Sequence, residues 1–136
     1  MSRSLVVLIV LTSAVGACER HDQAASRAVL REAMHGVLAY PRSTLVSMTA
    51  GSDAGQLELT SPDAVNTVAA WFRLALPMNG WTLQSDARAA DGTVSIYAQK
   101  GTKPLWISLK PSVGAPGTTY TMIGATVDST KADSGR

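Results

Sequence analysis

The sequence predicts an α+β protein: a two-layer sandwich in which an antiparallel sheet of about six strands, in the order α-ββ-α-ββββ, carries a long helix on one face. Three observations predict it. The stretch from Ser61 to Met78 places its apolar residues three and four apart, whereas the segments after Gly80 alternate apolar and polar every second residue. The alternating segments are joined by short runs of Gly, Asp, Ser and Pro, so consecutive strands pair antiparallel. An antiparallel sheet needs a cover on only one face, and the long helix supplies it.

The chain opens with a segment of another kind. Arg3 gives a positive leader, Leu5 to Leu11 is unbroken apolar sequence, and Thr12 to Ala17 fades into small residues before Cys18, the single cysteine. That is the build of an export signal. The apolar stretch falls short of the roughly twenty residues that a membrane-spanning helix requires. Residues 1–17 are therefore expected to be a signal peptide, in preference to an uncleaved anchor or a signal cut nearby with Cys18 incidental. Val15-Gly16-Ala17-Cys18 resembles the lipobox of bacterial lipoproteins. The resemblance implies cleavage by signal peptidase II between Ala17 and Cys18, a diacylglyceryl group on the Cys18 thiol, and attachment to the membrane through acyl chains including palmitate. Two or more chains give stable anchoring where one does not. Glu19 takes the place of the aspartate that retains such lipoproteins at the inner membrane, so the resemblance implies an outer-membrane location facing the periplasm.

Removing the signal leaves room for one domain. The expected divisions are a lipidated N-terminus and polar tether over 18–25, a single domain over 26–128 and a polar tail over 129–136. With 12 Lys and Arg against 10 Asp and Glu, and the basic residues scattered singly, there is no basic stripe for DNA or RNA, and no nucleic-acid partner is expected. A single cysteine allows no disulfide within the chain, so the hydrophobic core must hold the fold.

Within the domain, Leu30, Ala33, Met34, Val37 and Leu38 share one face of a helix over Ser26 to Ala39, with Ser26 as its N-cap and Tyr40-Pro41 as its stop. This helix either packs on the domain, the favoured reading, or stands as a spacer. Leu45–Ala50 and Gln56–Thr60 flank Gly51-Ser52-Asp53-Ala54-Gly55 and predict a hairpin, with Ala50 opposite Leu57 and Met48 opposite Leu59. Ser61-Pro62-Asp63 reads as a helix start: a cap, a first-turn proline and an acid at the positive end of the dipole. Val65, Val68, Ala69, Phe72 and Leu76 form the buried stripe, widened by Trp71 and Leu74, and Asn79-Gly80 ends the helix. The four strands that follow carry Trp81 and Leu83; Val94, Ile96 and Ala98; Leu105, Ile107 and Leu109; and Ile123, Ala125 and Val127 as their inward residues. A polar loop over Asp86–Gly92 separates the first two. The domain resembles small extracytoplasmic lipoprotein modules of uncharacterised biochemical role, through Tyr40-Pro41, Trp71-Phe72, Gly80-Trp81 and Lys100-Gly101. That resemblance supports the fold rather than an activity.

Catalysis needs a nucleophile with a base, two carboxylates in contrasting surroundings, or a metal cluster. His21 lies in the tether, and His35 has no Cys, Glu or His at ligand spacing. Asp53, Asp63, Asp86 and Asp91 read as turn or cap residues, and Glu58 as a solvent-facing strand residue. No catalytic residue, metal site or cofactor is expected. The sequence is read as a non-catalytic binding or scaffold module with an envelope protein partner. An envelope hydrolase with an unrecognised site is the alternative, and an accessory subunit of outer-membrane protein assembly is a third reading by analogy.

Binding is expected on the sheet face away from the helix. A turn over Lys100–Lys103 sets Gln99 opposite Pro104, Ile96 opposite Ile107 and Tyr97 opposite Trp106. Pairing Ile107 with Ile123 in the next hairpin then sets Lys110 opposite Tyr120 and Ser108 opposite Met122. The outward strip is Tyr97, Trp106, Lys110, Tyr120 and Met122, residue types favoured at binding surfaces. Aromatic pairs also stabilise sheets without any ligand, and the first helix is an alternative cover for them.

Overall fold

The computed structural model describes residues 16–126, with side-chain surroundings from Gln23 onward. The chain runs α1 (Gly16–Ala33), β1 (Thr44–Ala50), β2 (Ala54–Ser61), α2 (Val65–Met78), β3 (Thr82–Arg88), β4 (Val94–Lys100), β5 (Lys103–Pro111) and β6 (Thr118–Ala125). Its six strands form one antiparallel sheet in the order β1-β2-β6-β5-β4-β3. The architecture is the α+β sandwich that the two periodicities predict. Val127, the tail over 129–136 and the leader up to Val15 lie outside the described residues.

The inner face of the sheet carries the core. Leu59, Val94, Ile96, Ala98, Leu105, Ile107, Leu109, Tyr120 and Met122 are buried against Val65, Val68, Ala69, Phe72 and Leu76, the predicted stripe of α2. Trp81 closes the end of this core and donates its indole N–H to the Gly36 carbonyl at 3.2 Å. Leu74 was expected to widen the buried face but is 70% exposed, while Trp71 is half-buried. Trp71 packs edge-on to Tyr40 and Phe72, with ring centroids 5.6 and 5.0 Å away.

The C-terminal end of α1 crosses the same inner face over β1 and β2. The helix begins well before Ser26 and covers residues 18–25, which were expected to form an irregular tether. It stops at Ala33 rather than Ala39. Gly36 takes φ +76°, a conformation that ends the helix, and Val37 to Ala39 continue as irregular chain beside the core.

The predicted hairpin forms with its register moved: Met48 lies opposite Leu57, Ala50 opposite Gly55, and a bulge at Val46 brings Leu45 opposite Leu59. The shift is by two residues, so the same side chains face inward as in the expected pairing. A Cβ at Gly55 would lie 2.7 Å from Leu30 Cδ1, so the strand places glycine beneath the helix.

The start of α2 also differs. Ser61 is the last residue of β2, the N-cap is Ala64 with no side-chain cap bond, and Ser61 Oγ accepts the Asp63 N–H at 3.2 Å. Asp63 is occupied elsewhere, accepting from the Tyr40 hydroxyl at 2.6 Å and from Arg42 at 3.0 Å. β3 continues through Arg88, shortening the expected polar loop, because Asp86 and Arg88 bind Arg73 and Asn66 on the flank of α2.

Candidate functional site

Both helices lie on the inner face, so no described element covers the outer one. The β4–β5 register is the predicted one: Gln99 pairs with Pro104, Ile96 with Ile107 and Tyr97 with Trp106. The Tyr97 and Trp106 rings stack with centroids 5.1 Å apart and planes 18° from parallel. Gln99 Nε2 donates to the Tyr97 hydroxyl at 2.8 Å and steadies that ring, while Trp106 remains 44% exposed.

The β5–β6 register departs from expectation by one residue, and that step reverses which side chains face out. Ile107 pairs with Met122, Leu109 with Tyr120, and Trp106 with Ile123. Tyr120 and Met122 are therefore core residues, not members of the outward strip. Two contacts select this phase. Phe72 meets Tyr120 edge-on at 5.5 Å, and Gly124 lies where a Cβ would come within 2.4 Å of the Ala33 carbonyl oxygen. With Gly124 inward, Ile123 must face outward. Lys110 stays exposed, pairs with Thr119 and lies one step beyond Ser108 on the outer face.

The corrected outer face is organised in two rows running across the strands. One row is Ser85, Tyr97, Trp106 and Ile123, directly paired from β3 to β6. The adjacent row, over β4, β5 and β6, is Ser95, Ser108 and Thr121. A shallow open depression of about 300 Å³ lies over these seven residues. The predicted β4–β5 register already sets Ser95 opposite Ser108 beside the aromatic pair, and Thr121 and Ile123 join the face only once β6 is in its true register.

A second, smaller groove of about 260 Å³ lies between α1 and β1, lined by Arg27, Leu30, Met48 and Ala50 among others. Its lip is apolar, since Leu45, Val46 and Met48 on the edge strand are each roughly half exposed.

The remaining polar cluster fastens the chain before β1 to the core. The Tyr120 hydroxyl accepts the Tyr40 N–H at 3.1 Å and shares a hydrogen bond with Ser43 Oγ at 2.6 Å. Burial pushes the Tyr120 phenol upward in pKa, while its bonds to Ser43 and the Tyr40 amide oppose the shift. The bond to the Asp63 carboxylate raises that of Tyr40. On the flank of α2, Arg73 holds the Asp86 carboxyl below its ordinary range. Lys103 does the same for Glu32, at 2.8 Å. These groups already have partners within the fold. His35 is exposed just beyond α1, and no three His, Cys, Asp or Glu come together as metal ligands among the described residues.

Fold and face together define a small α+β domain with two helices on one side of an open antiparallel sheet. The chain belongs to the START domain-like family, whose match covers residues 42–130. The match spans the whole sheet and α2 and leaves α1 outside it. No curated protein and no solved structure matches the chain.

Proposed function

We propose that this protein is a lipid-anchored component of the bacterial envelope whose domain is a non-catalytic binding module, using the outer sheet face as its binding surface. The observation that carries the reading is Trp106, which is stacked on Tyr97 yet left 44% exposed over an open depression. A cross-strand aromatic pair contributes about 0.2–1 kcal/mol to a sheet. Covering the rest of an indole removes roughly 100 Å² from water, about 2.5 kcal/mol at 25 cal/mol per Å². A ligand therefore has more to gain from this ring than the sheet has gained.

The anchor in this proposal is Cys18, following Val15-Gly16-Ala17, with Glu19 favouring the outer membrane. Radiolabelled palmitate should enter the wild-type protein and not Cys18→Ala, which should accumulate as uncut precursor. Equal maturation without label in both would remove the anchor from the proposal. For the face, Ser108→Cys should react with an impermeant maleimide in the purified protein and be protected in intact envelopes. Equal reactivity in the two settings would show an unoccupied surface and sink the binding reading.

A further inference from the structure

We infer that the outer-face depression is a site for an uncharged saccharide chain, lying across the strands with its sugar faces on Trp106 and its hydroxyls on the row Ser95, Ser108 and Thr121. The inference rests on the reading of the outer face as a binding surface and names the ligand class.

The chemistry of the two rows points to a ligand with two kinds of edge. Trp106 and Ile123 offer apolar contact to C–H groups, and the Trp106 indole N–H is a donor with no acceptor among the described residues. The Ser85, Ser95, Ser108 and Thr121 hydroxyls likewise form no hydrogen bond among the described residues, while Ser61, Ser112, Thr118 and Thr119 all do. A hydroxyl both donates and accepts, and a row of free ones is matched by a ligand whose own groups do both.

Charge narrows the class. None of the residues lining the depression is ionisable except Tyr97, whose hydroxyl already accepts from Gln99. Glu58, opposite Thr121, ends the hydroxyl row on β2, and Lys110 lies one outward step past Ser108 along β5, so the two together supply no net charge. An anionic ligand would find no cation in the depression, and an extended peptide would find no open backbone edge on a sheet face. A chain of neutral pyranoses satisfies both rows. Size agrees: β3 to β6 spans three strand spacings, about 14 Å, the length of a few linked sugar rings.

The test uses the purified full chain in a detergent without a sugar headgroup, titrated with tetramers of β-1,4-linked glucose and of β-1,4-linked N-acetylglucosamine. Saturable change in tryptophan emission with either tetramer is expected. Trp106→Ala should weaken binding about tenfold or more, and Ser108→Ala several-fold, with Leu74→Ala on the far side of α2 binding as wild type. Added salt should leave the affinity unchanged. Ser108→Ala keeps the aromatic stack, so it separates loss of a hydroxyl from loss of the fold, which thermal melts of each variant report. Neither tetramer binding, undiminished binding by both Trp106→Ala and Ser108→Ala, or a steep loss with salt would overturn the inference. A photo-crosslinker at position 108 that captures a protein in cells would also overturn it. If the tetramers fail while Ser108→Cys stays protected in envelopes, the saccharide assignment falls and the binding face stands; if the protection is absent too, both fall.

Discussion

Gly124 on β6 lies directly beneath the Ala33 carbonyl at the end of α1, so close that a Cβ there would be 2.4 Å from the oxygen. This contact seats the first helix on the sheet and fixes the phase of the last strand. Gly124→Ala should force α1 away and cost about 1–3 kcal/mol, the usual penalty of overpacking. Gly51→Ala, in the β1–β2 turn, has its nearest neighbour at 3.8 Å and no positive φ, and should stay within about 0.5 kcal/mol of wild type. Urea denaturation of the two variants checks the contrast. Equal stability would mean that α1 is not seated on Gly124.

Tyr120 tests the same register from the core side. Its hydroxyl is the acceptor for the Tyr40 amide and a partner of Ser43. Tyr120→Phe keeps the ring against Phe72 but strips the Tyr40 N–H of its acceptor, a loss of about 1–3 kcal/mol for a group left unsatisfied. Amide exchange at Tyr40 should speed up beyond what the global change explains. An outward Tyr120 would show neither effect.

These two residues also mark where the sequence ceased to be legible. Gln99 opposite Pro104 could be read because the turn over Lys100–Lys103 is short enough to dictate pairing. The loop from Ser112 to Gly117 allows more than one phase, and the choice is made by Ala33 and Phe72, remote in sequence. Alternation alone favoured Ile123 and Ala125 inward, yet only glycine fits under α1. The stripe of α2 was legible from its spacing, since Val65, Val68, Ala69, Phe72 and Leu76 lie on one side of a helix whatever covers them. Asp63 was misread because Ser-Pro-Asp fits a helix cap equally well as the turn that receives Tyr40 and Arg42. The β4–β5 part of the candidate site therefore follows from the short turn, Tyr97 with Trp106 and Ser95 with Ser108, while Thr121 and Ile123 join it through the tertiary contact that moved β6.

Phe72 and Leu74 separate the two sides of α2. Phe72 is fully buried between Trp71 and Tyr120, and Phe72→Ala should cost about 3–5 kcal/mol, a large share of the roughly 5–15 kcal/mol available to a domain. Leu74→Ala should change stability by less than about 0.5 kcal/mol. Thermal melts decide between them, and similar losses would mean that α2 buries a different face.

The ion pair between Arg73 and Asp86 gives the fold an acid-side dependence of defined sign. The Arg73 guanidinium holds the folded-state pKa of Asp86 below its ordinary value, with nearby Arg88 acting in the same direction. A depressed carboxylate contributes stability that is present above its unfolded pKa of about 3.9 and disappears as pH falls through the lower folded value. Both side chains are about a third exposed, at 37% and 33%, so solvent screens the pair. Its contribution is that of a surface ion pair, about 0.2–1 kcal/mol. Asp86→Asn should therefore be slightly less stable than wild type near neutral pH, with the gap narrowing in high salt. The gap should close as the pH drops below the folded pKa of Asp86, where wild type has lost the charge that the variant never had. Urea midpoints of the two proteins across that range measure it. A gap that persists at the acid end would assign the contribution to hydrogen-bond geometry instead of charge, and a gap that widens would reverse the sign of the linkage.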